Sequence, residues 1–94
     1  MNKTSDEFLA TGSTFAQTPR ALRLPSPLTS DFDDTMLSPS AVTLSPDILL
    51  PGVQAFRLEV DPTGYPAAGY SGTVEVHDAL HGGVIESVAV WIGL

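Results

Sequence analysis

Two histidines are the first side chains in this sequence that could carry out chemistry. His77 and His81 lie four residues apart with Asp78 between them, a spacing that on a helix would direct two imidazoles at one metal ion. His77 instead ends a predicted strand and His81 precedes Gly82-Gly83, so helical geometry is not expected. We interpret both as turn histidines. A metal site formed across a symmetry axis is the alternative.

A run of acidic residues is the second candidate. Asp31-Phe32-Asp33-Asp34 places three carboxylates within four residues, and carboxylate oxygens are ligands that Ca²⁺ uses. The segment lacks the glycine turn and the distal Glu of an EF-hand loop. We therefore interpret it as a solvated acidic turn, which could alternatively pair with Arg20 or Arg23 of the same or another chain. No metal ion and no cofactor is predicted.

Nucleophilic catalysis finds little support in the sequence. There is no cysteine, and the many serines include no Gly-x-Ser-x-Gly elbow. Neither histidine has a recognisable catalytic partner. Tyr65, Tyr70 and Trp91 could line a ligand or carbohydrate surface, but aromatic residues are enriched at protein interfaces and we favour that role. The expectation is a protein that is not an enzyme, with no catalytic residues.

Length and charge exclude several classes of protein. The chain has 94 residues, with four Lys and Arg against eleven Asp and Glu, giving a formal net charge of −7. So few basic residues argue against binding nucleic acid or anionic lipid. No apolar stretch approaches the roughly 20 residues that span a bilayer. The acidic N-terminus does not resemble a secretory signal, so we expect a virion or otherwise a soluble intracellular location.

The fold class predicted is mainly β, with a small antiparallel sheet or sandwich-like unit at residues 47–94. Apolar and polar residues alternate over residues 53–60 and 73–78, and residues 84–92 become apolar on both faces. The connections between these spans are too short for parallel crossovers, so the strands should be antiparallel. Ile48-Leu49-Leu50 is a further candidate strand.

Residues 1–46 have a different composition and are predicted to form a long extended arm. They hold five of the eight prolines, many Ser and Thr, and one of the eight glycines. Each proline biases its predecessor toward extended geometry, so little regular structure is expected from about residue 13 to residue 46.

Two weak helix signals precede the proline-rich stretch. Thr4 and Glu7 fit a capping box and predict a short helix near residues 5–11, which would be marginal without tertiary support. A weaker helix start at residues 14–17 is cut short by Pro19.

The large apolar residues of the arm need a surface to cover, because a three-stranded sheet is near the lower limit of independent stability. We expect the arm to dock on a neighbouring subunit; packing on its own sheet is the alternative. The candidate interface residues are Leu22, Leu24, Leu28, Phe32, Leu37, Tyr65, Tyr70, Trp91 and Ile92.

The sequence therefore leads to a structural hypothesis. We expect a non-enzymatic structural protein of a symmetric assembly, docking through its N-terminal arm. The expected setting is a virion, in which the chain would be a capsid decoration (cement) protein or a small head or tail subunit. The partners expected are other protein subunits, copies of this chain in a homo-oligomer or a major capsid-type protein, with no nucleic acid and no membrane. The alternative is a soluble acidic protein-binding module whose arm recognises a partner.

Overall fold

The computed structural model describes residues 1–13 and 16–94. Over these residues it contains ten strands and two short 3₁₀ helices. The strands are β1 (Lys3–Thr4), β2 (Phe8–Leu9), β3 (Arg20–Arg23), β4 (Leu28–Ser30), β5 (Met36–Leu37), β6 (Val42–Ser45), β7 (Ile48–Leu49), β8 (Ala55–Val60), β9 (Gly69–Asp78) and β10 (Val84–Gly93). The 3₁₀ helices span Thr11–Ser13 and Pro39–Ala41.

The strands form two antiparallel sheets. In the larger sheet β9 is central. β10 pairs along one edge of β9, and β4 and β3 pair with different parts of its other edge. β5 and β7 continue the sheet beyond β4 and β3. In the smaller sheet β8 is central, with β1 and β2 on one side and β6 on the other. The prediction of a mainly β, antiparallel fold is confirmed.

Alternation in the second half of the chain explains the three longest strands. Residues 53–60 were expected to form a strand, and β8 occupies Ala55–Val60 with Phe56, Leu58 and Val60 buried. The predicted strand at 84–92 is β10, in which Val90 and Ile92 are buried. The predicted strand at 73–78 begins four residues earlier, because the glycine-rich residues 69–72 also pair with β10.

The first half of the chain is not a separate extended arm. Among the described residues it contributes six strands, and five of these, β1, β2, β3, β4 and β6, pair directly with β8 or β9. Leu22, Leu28 and Leu37 are buried in the core of their own chain. Burial of these leucines offsets the entropy of ordering a proline-rich segment, which costs roughly 1–2 kcal/mol per residue.

The short helix expected near residues 5–11 is also absent from the described part of that segment. Phe8–Leu9 pairs with β8, and only Thr11–Ser13 is helical, as a 3₁₀ turn. Ser5 explains the difference, because its amide donates to Leu58 O at 2.8 Å and its Oγ accepts from Leu58 N at 2.8 Å. These bonds hold the segment extended against β8. The weaker helix start at residues 14–17 falls on Thr14 and Phe15, which lie outside the described residues.

Candidate functional site

The two histidines contact different carboxylates in the described structure. His77 Nε2 lies 3.1 Å from Glu75 Oε1, and His81 Nδ1 lies 3.2 Å from Asp78 Oδ2. Asp78 also accepts hydrogen bonds from the amides of Leu80 and His81 in the turn before β10, and these lower its pKa. Within residues 1–13 and 16–94, no group of three or more His, Asp or Glu side chains could hold a metal ion.

The acidic turn after β4 holds one of its carboxylates in a network. Asp31 Oδ1 accepts from Ser71 Oγ at 2.7 Å, and Asp31 Oδ2 accepts from Trp91 Nε1 at 2.7 Å. Asp33 caps the turn by accepting from Thr35 N at 2.9 Å, and the hydroxyl and amide of Thr35 lower the pKa of Asp33. The structure gives neither Asp31 nor Asp33 an ion pair with Arg20 or Arg23.

Most of the residues predicted for an interface belong to the core or its margin. Leu22, Leu28, Leu37, Tyr70 and Ile92 are buried by their own chain, and Leu24 and Tyr65 are half-buried against the same core. Burial raises the pKa of the Tyr70 phenol, and the charge of Asp33 adds to the effect.

The two remaining predicted interface residues are exposed. Phe32 is 89% exposed and Trp91 is 50% exposed. The apolar faces of residues 84–92 predict that Trp91 is covered at least partly by another chain or by the arm, and within this chain half of its surface stays exposed. Its side chain lies on the outer face of the larger sheet because its cross-strand partner is Ser71, whereas the neighbouring pair, Ile92 and Tyr70, faces the core.

The outer edge of β10 is the longest unpaired strand edge among the described residues. In an antiparallel pair of strands, every second residue bonds to the partner strand. Because Leu94 N donates to Ala68 O at 2.9 Å, the even-numbered residues of β10 are the ones that bond to β9. The odd-numbered residues therefore direct their N–H and C=O groups away from β9. These residues are Ser87, Ala89, Trp91 and Gly93, and all four are exposed.

This edge lacks the devices that usually prevent strands of different molecules from pairing. Exposed edges are commonly protected by charged side chains, proline or bulges. From Ser87 to Gly93 there is no charged residue and no proline, and the one irregularity in pairing lies at the other end, between Val84 and Glu86. Residues 87–93 therefore carry none of these three protections.

A groove of about 490 Å³ lies between β6 and the end of β3. Its walls include Leu22, Leu24, Val42 and Leu44, and the last three are half-buried. β6 is an edge strand of the smaller sheet there, and Leu22 N in β3 of the larger sheet donates to Asp47 O. Apolar side chains also meet solvent in this groove.

Arg20 is a buried charged residue whose burial the sequence analysis did not predict. Arg20 is fully buried, and its guanidinium donates to Ser13 O, Ser13 Oγ, Leu50 O and Val53 O at 2.6–3.1 Å. Its Nε has no partner. The signal was present in the alternation Arg20-Ala21-Leu22, which places Arg20 on the same face of β3 as the buried Leu22.

Comparisons with protein-family models, curated proteins and solved structures found no match to this chain. Within the described ranges there is also no helix whose length and apolar character would let it cross a membrane. The arguments for function therefore come from the chain's own surfaces.

Proposed function

We propose that this protein is a non-enzymatic structural subunit of a symmetric assembly. The observation that supports the proposal is the open edge of β10, where Ser87, Ala89, Trp91 and Gly93 present backbone groups that no other described residue pairs with, without a protecting charge or proline. The docking element proposed is this edge. The N-terminal segment that the sequence predicts to be an arm pairs instead with strands of its own chain.

Pairing of two β10 edges is the simplest association this surface permits. Two copies related by a two-fold axis would meet antiparallel, with the centre of contact near Ala89 and Trp91. The larger sheet would then continue from one copy into the next, twelve strands in all, six from each copy. Main-chain hydrogen bonds provide the affinity in such strand addition.

A virion component remains the finer form of this proposal, as a capsid decoration protein or a small head or tail subunit. Virion shells repeat identical small subunits, and a subunit that extends its sheet into a neighbour suits such repetition. Other copies of this chain, or a major capsid-type protein, would be the partners. The net charge of −7 favours protein partners over nucleic acid.

The oligomeric state of the purified chain and of two lysine variants tests the proposal. Ala89→Lys adds a charge at the open edge. Thr73→Lys adds the same charge at the residue paired with Ala89 on β9, a strand that has neighbours on both sides. Sedimentation velocity and light scattering over a wide concentration range should show association of the wild type and of Thr73→Lys, and a monomer for Ala89→Lys. A wild type that stays monomeric throughout, or equal loss in both variants, would contradict the proposal.

The symmetry of the assembly requires a separate measurement. Electron microscopy of the associated protein should show particles with a fixed number of subunits. Irregular aggregates would argue that edge pairing is uncontrolled and would overturn the structural role. Closed particles lost in Ala89→Lys and kept in Thr73→Lys would support it.

A further inference from the structure

We propose that the exposed indole of Trp91, together with Asp31, binds an arginine side chain from a basic segment of a partner protein. The site lies on the outer face of the larger sheet. Side chains stand perpendicular to a sheet while its edge groups lie in the plane, so this site uses the face of β10 next to its open edge and none of the edge's backbone groups. The inference does not depend on self-association.

The indole ring packs over a pair of glycines. Gly69 and Gly93 are cross-strand partners in β9 and β10. A Cβ added at Gly69 would come within 2.7 Å of Trp91 Nε1, and one added at Gly93 would come within 2.9 Å of Trp91 Cη2. Any side chain at either position would lift the ring off the sheet. The ring is held against the glycine backbone on one side, and half of the surface of Trp91 remains open to solvent.

Asp31 fixes the orientation of this ring. Its Oδ2 accepts from Trp91 Nε1, its Oδ1 accepts from Ser71 Oγ, and its backbone amide donates to Gly69 O at 2.8 Å. The carboxylate is thus held at the rim of the indole. Donation of the indole N–H to an anion also increases electron density on the ring, which strengthens attraction for a cation over its face.

The surrounding charge favours a cation over a neutral ligand. Asp33 and Asp34 follow Asp31 in the same exposed turn, and the whole chain carries a formal net charge of −7. Among cations, a guanidinium fits best, because it is planar and stacks on an aromatic face while its N–H groups bond a carboxylate. An ammonium group would gain the charge interaction but not the stacking.

Fluorescence of Trp91 provides a direct test, since it is the chain's one tryptophan. The probe is a short capped peptide of alternating glycine and arginine. Matched peptides carry lysine or the uncharged isostere citrulline in place of arginine. The arginine peptide should change the fluorescence saturably, the lysine peptide more weakly, and the citrulline peptide least.

Two charge-matched variants locate the site. Asp31→Asn keeps the shape and an oxygen acceptor for the indole, and should weaken binding of the arginine peptide by about five- to tenfold. Asp47→Asn changes the net charge equally at an exposed position beside Leu22, near the other end of β9 from Gly69, and should leave affinity within about twofold. Circular dichroism checks that both variants keep the fold.

A third variant tests the ring itself. Trp91→Leu should abolish measurable binding of the arginine peptide in calorimetry. The proposal is overturned if Asp47→Asn weakens binding as much as Asp31→Asn, which would indicate diffuse attraction. It is also overturned if the citrulline peptide binds as well as the arginine peptide, or if a neutral oligosaccharide saturates the fluorescence and the arginine peptide does not.

Discussion

Arg20 joins the first 3₁₀ helix to the loop after β7 through its hydrogen bonds. Its guanidinium reaches Ser13 in the first 3₁₀ helix and the carbonyls of Leu50 and Val53 after β7. No acidic side chain forms an ion pair with Arg20 in the described structure, so its buried charge is compensated by neutral acceptors. Desolvating a charge is costly unless its hydrogen bonds are satisfied, and here three of the four acceptors are backbone carbonyls.

Replacing Arg20 should therefore be among the most destabilising single changes. Arg20→Ala removes the side-chain donor to Val53 O and Ser13 Oγ and opens a cavity in the core, whereas Ser13 O and Leu50 O keep the amides of Ala16 and Val53 as donors. The variant should lower the free energy of unfolding by about 2–5 kcal/mol. Arg23→Ala, at an exposed position of the same strand, should change it by less than about 0.5 kcal/mol. Urea unfolding followed by circular dichroism measures both. Equal effects would mean that the buried network contributes little.

Glycine spacing at the element scale lets neighbouring strands interlock. The inward face of β9 runs Tyr70, Gly72, Val74, Val76, and the gap at Gly72 is filled by Leu28 from β4. A Cβ added at Gly72 would come within 2.5 Å of Leu28 Cδ2. Since Leu28 is fully buried, its side chain has no free space into which to move.

Gly72→Ala should consequently overpack the junction of β4 and β9. The expected loss in free energy of unfolding is about 1–3 kcal/mol. Gly83→Ala serves as the control, because its added methyl would meet no atom within 4 Å and Gly83 does not adopt a positive φ. Thermal and urea unfolding should separate the two variants. A neutral Gly72→Ala would show that Leu28 can repack.

The turn between β9 and β10 depends on an ionised Asp78. The amides of His81 and Leu80 donate to its carboxylate and lower its pKa below the usual aspartate value. A lowered folded-state pKa means that the stabilisation is fully present above about pH 4 and is lost as the pH falls through the lowered value. The turn should loosen only in strong acid.

Amide NMR shifts of Leu80 and His81 across the acid range test this behaviour. In the wild type both should titrate together with a midpoint below that of an ordinary aspartate. In Asp78→Asn, which keeps an oxygen acceptor for the turn, the shared titration should disappear. A midpoint at or above the ordinary value would contradict the role of these hydrogen bonds.

The same elements show what sequence patterns can and cannot predict here. β8 and β10 were recognisable because six or more alternating residues distinguish a strand from coil. β1, β2 and β5 have two residues each, too few for any periodicity, whereas the apolar run Ile48-Leu49-Leu50 predicted β7. The start of β9 was missed because glycines that admit Leu28 and Trp91 look like loop residues in a single sequence. The bond between Asp31 and Trp91 joins residues 60 positions apart, and no local pattern indicates it.

At the scale of the whole molecule, the two halves of the chain complete each other's sheets. β3 and β4 line one side of β9, and β6 lines one side of β8. The first half supplies Leu22, Leu28 and Leu37 to the core. Without them, β9 and β10 would form a two-stranded ribbon beside a lone β8, and such a ribbon is marginal in water.

A fragment comprising residues 47–94 should therefore not fold by itself. Loss of one buried leucine from a core costs about 2–5 kcal/mol. The free energy of unfolding of a typical small domain is about 5–15 kcal/mol, and loss of all three leucines exceeds the lower end of that range. The fragment should give a poorly dispersed amide NMR spectrum and no cooperative thermal transition. Adding a peptide of residues 1–46 should restore dispersion, because the missing strands and leucines return together. A fragment that unfolds cooperatively without that peptide would instead establish the second half as an independent β unit.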